Sequence, residues 1–404
     1  LPLPVVMATV FATWFGAETI LAAPTAFYDL GWIGLFEEPI GAAFCLIFTG
    51  LFLSKKLYNL GFISLGDLYK SKYGIKVEKL ASLIMAVTFL GWEAEQLSAL
   101  ALLIQMIFNI SFINSLILST FIVMVYSLMG GMWSISFTDF IQAIIIIIAL
   151  ISIFIFVYLS VNQPVISDIK WPESTKTRLN PIKLLNAILI IGLGSIPSQD
   201  LYQRLISAKD AKVAKYSSMF GGLFYLLIGF LPIAILVVFV SNNPDFQVNG
   251  ENVIPSLIAN LNHPYLEILF YGALMSAILS SASSGLLAPS TLISENLFPS
   301  RKGNISLKKI RTVMFCWALL SFVVANFGEN IFTLVGLASS ISLVALFCPL
   351  IMALFYKKHS PLAAILSLGT GLISWLFLTY FSPDSPIELL ALSFSFLFYF
   401  IGFY

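Results

Sequence analysis

The sequence predicts an all-α integral membrane protein, and three observations support that fold class. Hydrophobic residues make up 59% of the 404 residues and charged residues only 10%, whereas soluble domains average about 45–50% and about 25%. The mean hydropathy is +0.96. Apolar stretches long enough to cross a bilayer, about 20 residues each, recur along the chain. The net charge of +1 provides no basic field for nucleic acid, so no nucleic-acid partner is expected.

About twelve apolar stretches have the length of a transmembrane helix. Polar loops separate them, so each stretch is predicted to be one span of a multi-pass protein. The predicted spans cover residues 3–28, 32–54, 78–108, 113–130, 136–161, 183–203, 216–241, 264–298, 308–328, 331–356, 361–381 and 386–403.

The positive charges orient these spans. If the loop at 54–79 lies in the cytoplasm, the alternation of spans places 17 of the 21 Lys and Arg residues on that side. Cytoplasmic loops of membrane proteins carry such an excess of Lys and Arg. The distribution therefore orients the spans and supports their number, since one missed span would disrupt the alternation of charge.

The first span carries a possible helix break at Gly16 and Pro24, and the sixth carries one at Gly192, Gly194 and Pro197. Gly and Pro are also common in membrane helices as packing notches or kinks, and this reading stays open. Interrupted segments at corresponding positions of two halves indicate an inverted repeat with a site near the midplane. The offset of five spans favours a 5+5 repeat.

The eighth span has a face rich in hydroxyl groups. At 100° per residue, Ala277, Ser280, Ser281 and Ser284 fall within about 100° of arc, with Ser283 beside them. A hard cation such as sodium requires several oxygen ligands. The alternative is a small-residue interface in which the hydroxyls bond back to their own helix.

Acidic residues within the spans mark functional positions, because an ionisable group in the bilayer is costly. The predicted spans contain no Lys or Arg that could pair with these carboxylates. Asp139 is expected either to complete a sodium shell with Ser283 and Ser284 or to cap its helix. Glu93 and Glu95 point to different faces of the third span, and Glu37 is expected to be solvated at the interface. The carboxylates are Glu18, Glu37, Glu38, Glu93, Glu95 and Asp139.

No organic cofactor or transition-metal centre is predicted. The three cysteines lie far apart in apolar stretches, which is typical of small buried side chains without a disulfide. The only two histidines, His263 and His359, each adjoin a loop. The three cysteines are Cys45, Cys316 and Cys348.

Three stretches resemble the sodium:solute symporter family, which includes bacterial carriers of proline, pantothenate, sialic acid and galactose. Phe11–Leu21 resembles the broken first helix of that family. Tyr126–Trp133 with Thr138–Gln142 resembles its fourth-to-fifth span signature. The third stretch combines Gln203-Arg204 and Ala208-Lys209 with the serine run of the eighth span. The three stretches in this order are specific, and the likeness covers nearly the whole chain.

The resemblance implies a leucine-transporter-like fold of 5+5 inverted spans with two additional C-terminal helices. The corresponding units are residues 1–162, 163–356 and 357–404. Family members usually have one span before the broken first helix, so a preceding segment is expected to be missing from this sequence. The protein is expected to be a monomer in the plasma membrane, the inner membrane of a bacterium.

The resemblance further implies two sodium sites and a solute site. The first sodium site would use the carbonyls of Ala12, Phe15 and Ala277 and the hydroxyls of Ser280 and Ser281. The second would use Asp139, Ser280, Ser283 and Ser284. The solute positions would be Trp14, Gly16, Glu18, Thr19, Glu38, Gly41, Gln96 and, at the sixth-span break, Gly194. Sugar carriers of the family use polar residues where Trp14, Thr19 and Gly41 stand here, which disfavours a sugar.

These features predict a secondary active transporter that couples sodium to a small organic solute by alternating access. Two sodium ions per cycle are expected. The surplus of carboxylates favours an amino acid or another amine-bearing solute. The alternative is a solute-sensing membrane domain of a signalling protein with the same fold.

Overall fold

The computed structural model describes residues 1–129, 132–160, 173–176, 180–243, 245–246, 253–299, 306–327, 331–383 and 385–403. Within these ranges the regular elements are helices and no strand occurs. We number the main helices α1 to α16 in chain order. They are α1 Leu3–Trp14, α2 Glu18–Leu30, α3 Trp32–Leu60, α4 Leu65–Tyr73, α5 Ile75–Phe108, α6 Phe112–Met129, α7 Met132–Ser160, α8 Pro181–Gly194, α9 Gln199–Ile206, α10 Ala211–Asn242, α11 Val253–Asn260, α12 Pro264–Leu297, α13 Leu307–Ala325, α14 Thr333–Phe355, α15 Pro361–Phe381 and α16 Ile387–Ile401.

Seven helices in the described ranges are long and apolar enough to cross a bilayer, or up to nine if each of two bent pairs counts as one span. Helix α16 is apolar but shorter. Helices α5 and α13 correspond to the third and ninth predicted spans without meeting this criterion. The all-helical membrane class is therefore confirmed, whereas the number of twelve stays a prediction.

Both predicted helix breaks are present. The axes of α1 and α2 differ by 59° across the break that follows Trp14, and those of α8 and α9 differ by 53° across the break that follows Gly194. Pro24 does not itself break the helix, because it lies within α2, directly after a wider π-helical turn at Glu18–Ala22. Such turns accommodate locally altered hydrogen bonding.

Helix α12 lies among the other helices that build the site. It contacts α1, α5, α7 and α9. Its buried face includes many small residues, among them Ala277, Ser281 and Gly285, and small residues allow backbones to approach closely. The serine run is therefore inside the bundle, facing other helices.

The last two helices form a pair beside α14. Helices α15 and α16 pack on each other and on the Leu343–Phe347 turn of α14. The hydroxyls of Ser367 and Ser395 lie 2.8 Å apart between them, and the Trp375 indole donates to Glu388 at 3.3 Å. These contacts join the pair to each other more than to the site.

Two sequence-based predictions are wrong at this level. Glu37 is buried, because α3 packs against α8 there and Gly336 of α14 faces its carboxylate. Cys316 is exposed on the outer face of α13, whereas Cys45 and Cys348 are buried, and all three thiols are free. The predicted motif residues Gly130 and Gly131 lie outside the described residues, as do the loop cations at 170, 178, 301 and 302.

Candidate functional site

The break in the first span brings backbone carbonyls into the bundle. The Phe15 amide donates to the Phe11 carbonyl at 2.9 Å, and the chain then leaves the helix until Glu18. The carbonyls of Ala12 and Phe15 therefore fall at the end of α1, where backbone acceptors have no partner within their own helix. Helix α1 contacts α12.

The serine cluster, which we define as Ser280, Ser281, Ser283 and Ser284, is fully buried. The Ser281 hydroxyl donates to the Thr13 carbonyl at 2.9 Å. The hydroxyls of Ser283 and Ser284 instead donate back to the Ser280 carbonyl, at 2.9 and 3.3 Å. The small-residue alternative thus describes Ser283, whereas Ser280 and Ser281 bond across helices and Ser284 does both.

Asp139 joins three elements of this site. Its carboxylate accepts hydrogen bonds from the Ser280 hydroxyl at 2.7 Å and from the Thr9 hydroxyl. Asp139 is fully buried and lies well inside α7, which begins at Met132. The alternative of a helix cap is therefore wrong, since a capping residue flanks its helix.

Arg204 contradicts the prediction that no cation lies within the spans. The sequence places it in a cytoplasmic loop, but α9 continues the sixth span beyond its break and buries Arg204 completely. Its Nη2 lies 3.7 Å from the Asp139 Oδ2 and donates to the Ser284 hydroxyl. Its Nε donates to the Thr13 hydroxyl at 3.1 Å. The guanidinium therefore joins α1, α7 and α12.

These groups provide the ligand chemistry of an alkali cation. Carbonyl, hydroxyl and carboxylate oxygens are the ligands that hard cations prefer, and the break at Phe15 faces the serine cluster. The described residues contain no cluster of three or more His, Cys, Asp or Glu side chains suited to a transition metal. The donor set thus fits sodium better than zinc or iron.

A cavity lies beside this region, between both helix breaks. Its lining combines aromatic rings, carboxylates and small hydroxyl residues, with no Lys, Arg or His among the described residues that face it. The side chains that matter most here are Trp14, Glu18, Glu38, Phe89, Trp92, Asp200 and Tyr225. An apolar concavity with a few convergent polar groups is typical of a small-molecule site.

Gln96 links two carboxylates to the first-span break. Its amide nitrogen donates to Glu18 at 2.9 Å and to Glu95 at 2.7 Å. Its amide oxygen accepts from the Ala17 backbone at 3.4 Å. Gln96 is fully buried and does not line the cavity itself. It is therefore placed to orient Glu18 rather than to contact a solute.

Glu38 is held by two hydroxyl groups. The Thr19 hydroxyl donates to its Oε1 at 3.1 Å, and the Tyr225 hydroxyl donates to the same oxygen. All three side chains are buried, and Glu38 and Tyr225 line the cavity. Thr19 therefore positions a cavity residue from behind.

The remaining predicted solute positions divide into two groups. Gly194 lines the cavity, as do Trp14, Glu18 and Glu38. Gly16 and Gly41 do not: Gly16 packs against the Gln96 and Ser281 side chains, and Gly41 packs against the backbone of α8. Their lack of a side chain allows these close approaches.

Sequence reasoning missed several cavity residues, including Phe89, Trp92, Tyr225 and Asp200. Phe89, Trp92 and Gln96 are spaced at i, i+3 and i+7, which places them on one helix face. That spacing could have identified the two aromatic residues once Gln96 was singled out. Asp200 lies three residues after Pro197, at the predicted end of the sixth span, and nothing in the sequence indicated that it faces the cavity.

The profile of the "Sodium:solute symporter family" matches residues 3–371 of this chain. Individual relatives of known name share about a quarter of their residues with this chain. The chain is 26% identical to the high affinity choline transporter 1 of Homo sapiens over 396 residues, covering 92% of this chain and 67% of the relative. It is 25% identical to the sodium/proline symporter of Staphylococcus aureus over 352 residues, covering 81% and 68%. The chain thus spans about two thirds of these relatives.

Solved structures share the fold. A substrate-bound, outward-open Na+-coupled sialic acid symporter aligns with a TM-score of 0.82 at 19% identity, covering 99% of this chain and 89% of that one. A nucleobase-cation-symport-1 family transporter aligns with a TM-score of 0.66 at 14% identity, covering 99% and 91%. The likeness agrees with the leucine-transporter-like fold expected from the sequence.

Proposed function

Because this chain belongs to the sodium:solute symporter family, we propose that it is a secondary active transporter coupling sodium to uptake of an organic cation with a quaternary or protonated amine. The protein is a transporter rather than an enzyme.

The composition of the cavity lining supports the solute class. Trp14, Phe89 and Trp92 provide aromatic faces, and Glu18, Glu38 and Asp200 provide carboxylates, with no basic residue among the described lining residues. An aromatic face attracts an organic cation by about 0.5–2 kcal/mol, more when the cation is desolvated. An anionic or neutral solute would gain neither interaction.

The names of the relatives suggest two solutes to compare. Choline, the solute named for the human relative, carries a permanent positive charge and no carboxylate. Proline, named for the staphylococcal relative, carries a carboxylate that the acidic lining would repel. The lining therefore favours a choline-like solute over an amino acid.

The two proposed sodium sites are those that the family resemblance implies, and the burial of the serine cluster beside the break in α1 supports them. The first comprises the carbonyls of Ala12, Phe15 and Ala277 and the hydroxyls of Ser280 and Ser281. The second comprises Asp139, Ser280, Ser283 and Ser284. Each sodium ion that enters gains about 2.3 kcal/mol per 100 mV of membrane potential. Two ions would therefore supply enough free energy to concentrate a solute more than a hundredfold.

The proposed architecture is twelve spans in a 5+5 inverted repeat, with residues 1–162 and 163–356 as the two halves. Residues 357–404 would be peripheral. Bends of 59° and 53° in the first and sixth predicted spans support this arrangement, since broken helices at matching positions are typical of such repeats. We further propose a monomer in a bacterial inner membrane.

The solute class can be tested by a thermal-shift screen of the detergent-purified protein. Choline, proline, a sugar and a dicarboxylate are each added in sodium chloride or in potassium chloride. The proposal predicts that choline raises Tm in sodium but not in potassium, because sodium completes the site. Stabilisation by proline or by a sugar alone would contradict the solute class, and equal stabilisation in potassium would contradict sodium coupling.

A further inference from the structure

We propose that the guanidinium of Arg204 is a built-in competitor for the second sodium ion, so that sodium binds beside Asp139 only when α9 withdraws this side chain. The inference rests on the proposed sodium-coupled function. It assigns Arg204 as a positioning residue that controls when the second cation site is available.

The contacts of Arg204 coincide with ligands of the proposed second site. Its Nη2 lies 3.7 Å from Asp139 and donates to the Ser284 hydroxyl. Asp139 also accepts from Ser280, a third residue of that site. Three of the four proposed ligand residues are therefore linked to the guanidinium directly or through one carboxylate.

A sodium ion and the guanidinium cannot share this position. Arg204, Asp139 and Ser284 are each fully buried, so water does not screen the charges. Asp139 can neutralise only one of the two cations, and two positive charges this close together repel strongly in the interior. Occupancy by sodium therefore requires the arginine to move away from Asp139.

The position of Arg204 in the fold places this exchange on a helix that is separate from the helices of its partners. Helix α9 is the short half of the broken sixth span, separated from α8 by a 53° bend. Asp139 lies on α7 and Ser284 on α12. Movement of α9 relative to these helices would open or close the cation site.

A second carboxylate is available on α9 itself. Asp200 lies four residues before Arg204, a spacing that places the two side chains on the same helix face. Asp200 is buried and accepts a hydrogen bond from the Ser198 hydroxyl. It can receive the guanidinium when sodium takes Asp139, so the arginine need not remain without a carboxylate.

Sodium affinity of an arginine-free variant tests the inference. Purified wild type, Arg204→Gln and the control Lys209→Gln, which alters an exposed cation just beyond α9, are titrated with ²²Na+ without solute. Arg204→Gln is expected to bind sodium about fivefold or more tightly, whereas Lys209→Gln matches wild type. Loss of a purely structural arginine would weaken binding, so unchanged or weaker affinity overturns the inference.

A measurement on wild type protects the test against a variant that does not fold. Hydrogen exchange across Gln199–Ile206 is compared in sodium and in potassium. Withdrawal of Arg204 predicts faster amide exchange in this helix with sodium, and equal or slower exchange contradicts it. Sodium-dependent choline uptake by wild type is measured in parallel. If wild type takes up choline with sodium but Arg204→Gln binds sodium no more tightly than wild type, only this inference is overturned. If wild type binds no sodium, the proposed function is overturned as well.

Discussion

The Ser281 hydroxyl donates a hydrogen bond to the Thr13 carbonyl at 2.9 Å. This single bond connects the serine helix α12 to the end of α1 just before its break. It holds a hydroxyl and a set of helix-end carbonyls in one place, which is the arrangement that an alkali cation requires. Sodium binding at the proposed first site depends on this connection.

Replacement of Ser281 by Ala removes that connection and one proposed sodium ligand. We expect the half-saturating sodium concentration for uptake to rise about tenfold, since a buried hydrogen bond contributes roughly 0.5–1.5 kcal/mol. The measurement is choline uptake as a function of sodium. Ser374→Ala on α15 is the matched control, because Ser374 bonds only within its own helix at Thr370 and Gly371. Equal effects of both substitutions would contradict the assignment.

Replacement of Asp139 by Asn tests the second cation site. We expect the Hill coefficient for sodium to fall to about 1, because one of two sites loses its charged ligand. The Tm should also fall, since Arg204 loses the carboxylate with which it pairs. The exposed residue Asp29 provides the control, Asp29→Asn.

The double variant Asp139→Asn with Arg204→Gln separates these two effects. Removing both charges should restore most of the lost Tm while the Hill coefficient stays low. A double variant as unstable as Asp139→Asn alone would show that the pair does not compensate each other in the interior.

Replacement of Trp92 by Leu tests recognition of a cation by aromatic rings. We expect the half-saturating choline concentration to rise about tenfold, in keeping with a cation–π contribution of about 0.5–2 kcal/mol. Competition by 3,3-dimethylbutanol, which has the shape of choline without its charge, should change much less. Trp375→Leu on α15, outside the cavity, is the control. If Trp92→Leu weakens the binding of choline and of 3,3-dimethylbutanol equally, Trp92 has a role in packing alone.

Two glycine substitutions test the close packing at the sixth-span break. A Cβ at Gly194 would lie 3.1 Å from the Leu343 Cβ and against the Ser339 backbone, whereas a Cβ at Gly369 meets nothing within 4 Å. Gly194→Ala should lower Tm and uptake, because backbone must move. Gly369→Ala should raise the stability by about 0.5–1 kcal/mol, since Ala favours a helix interior. If both variants behave alike in thermal unfolding, the packing at Gly194 is not as described.

The sequence allowed the membrane class and both helix breaks to be predicted because these depend on local composition. Gly16 and Pro197 lie in short segments whose backbone cannot continue a regular helix. The position of a residue within the bundle could not be predicted in this way, because it depends on how helices that are distant in sequence pack together. Ser281 and Thr13 are 268 residues apart, and only the family resemblance placed their helices together.

The main failure concerns Arg204. Counting charges assigns any Arg at the end of an apolar stretch to the adjacent loop, which is correct for most such residues. Here the chain becomes helical again at Gln199, after the break, and this helix α9 places Arg204 inside the bundle beside Asp139. A carboxylate without an evident partner in one span was the available signal that a cation from another element is needed.

The most direct test of the account is uptake of choline into proteoliposomes under defined gradients. An inward sodium gradient should drive accumulation, and a membrane potential negative inside should increase it, because sodium and choline both carry positive charge. Potassium in place of sodium should abolish accumulation. If a proton gradient supports the same uptake in the absence of sodium, the cation site at Phe15 and the serine cluster does not couple transport to sodium, and the account is wrong.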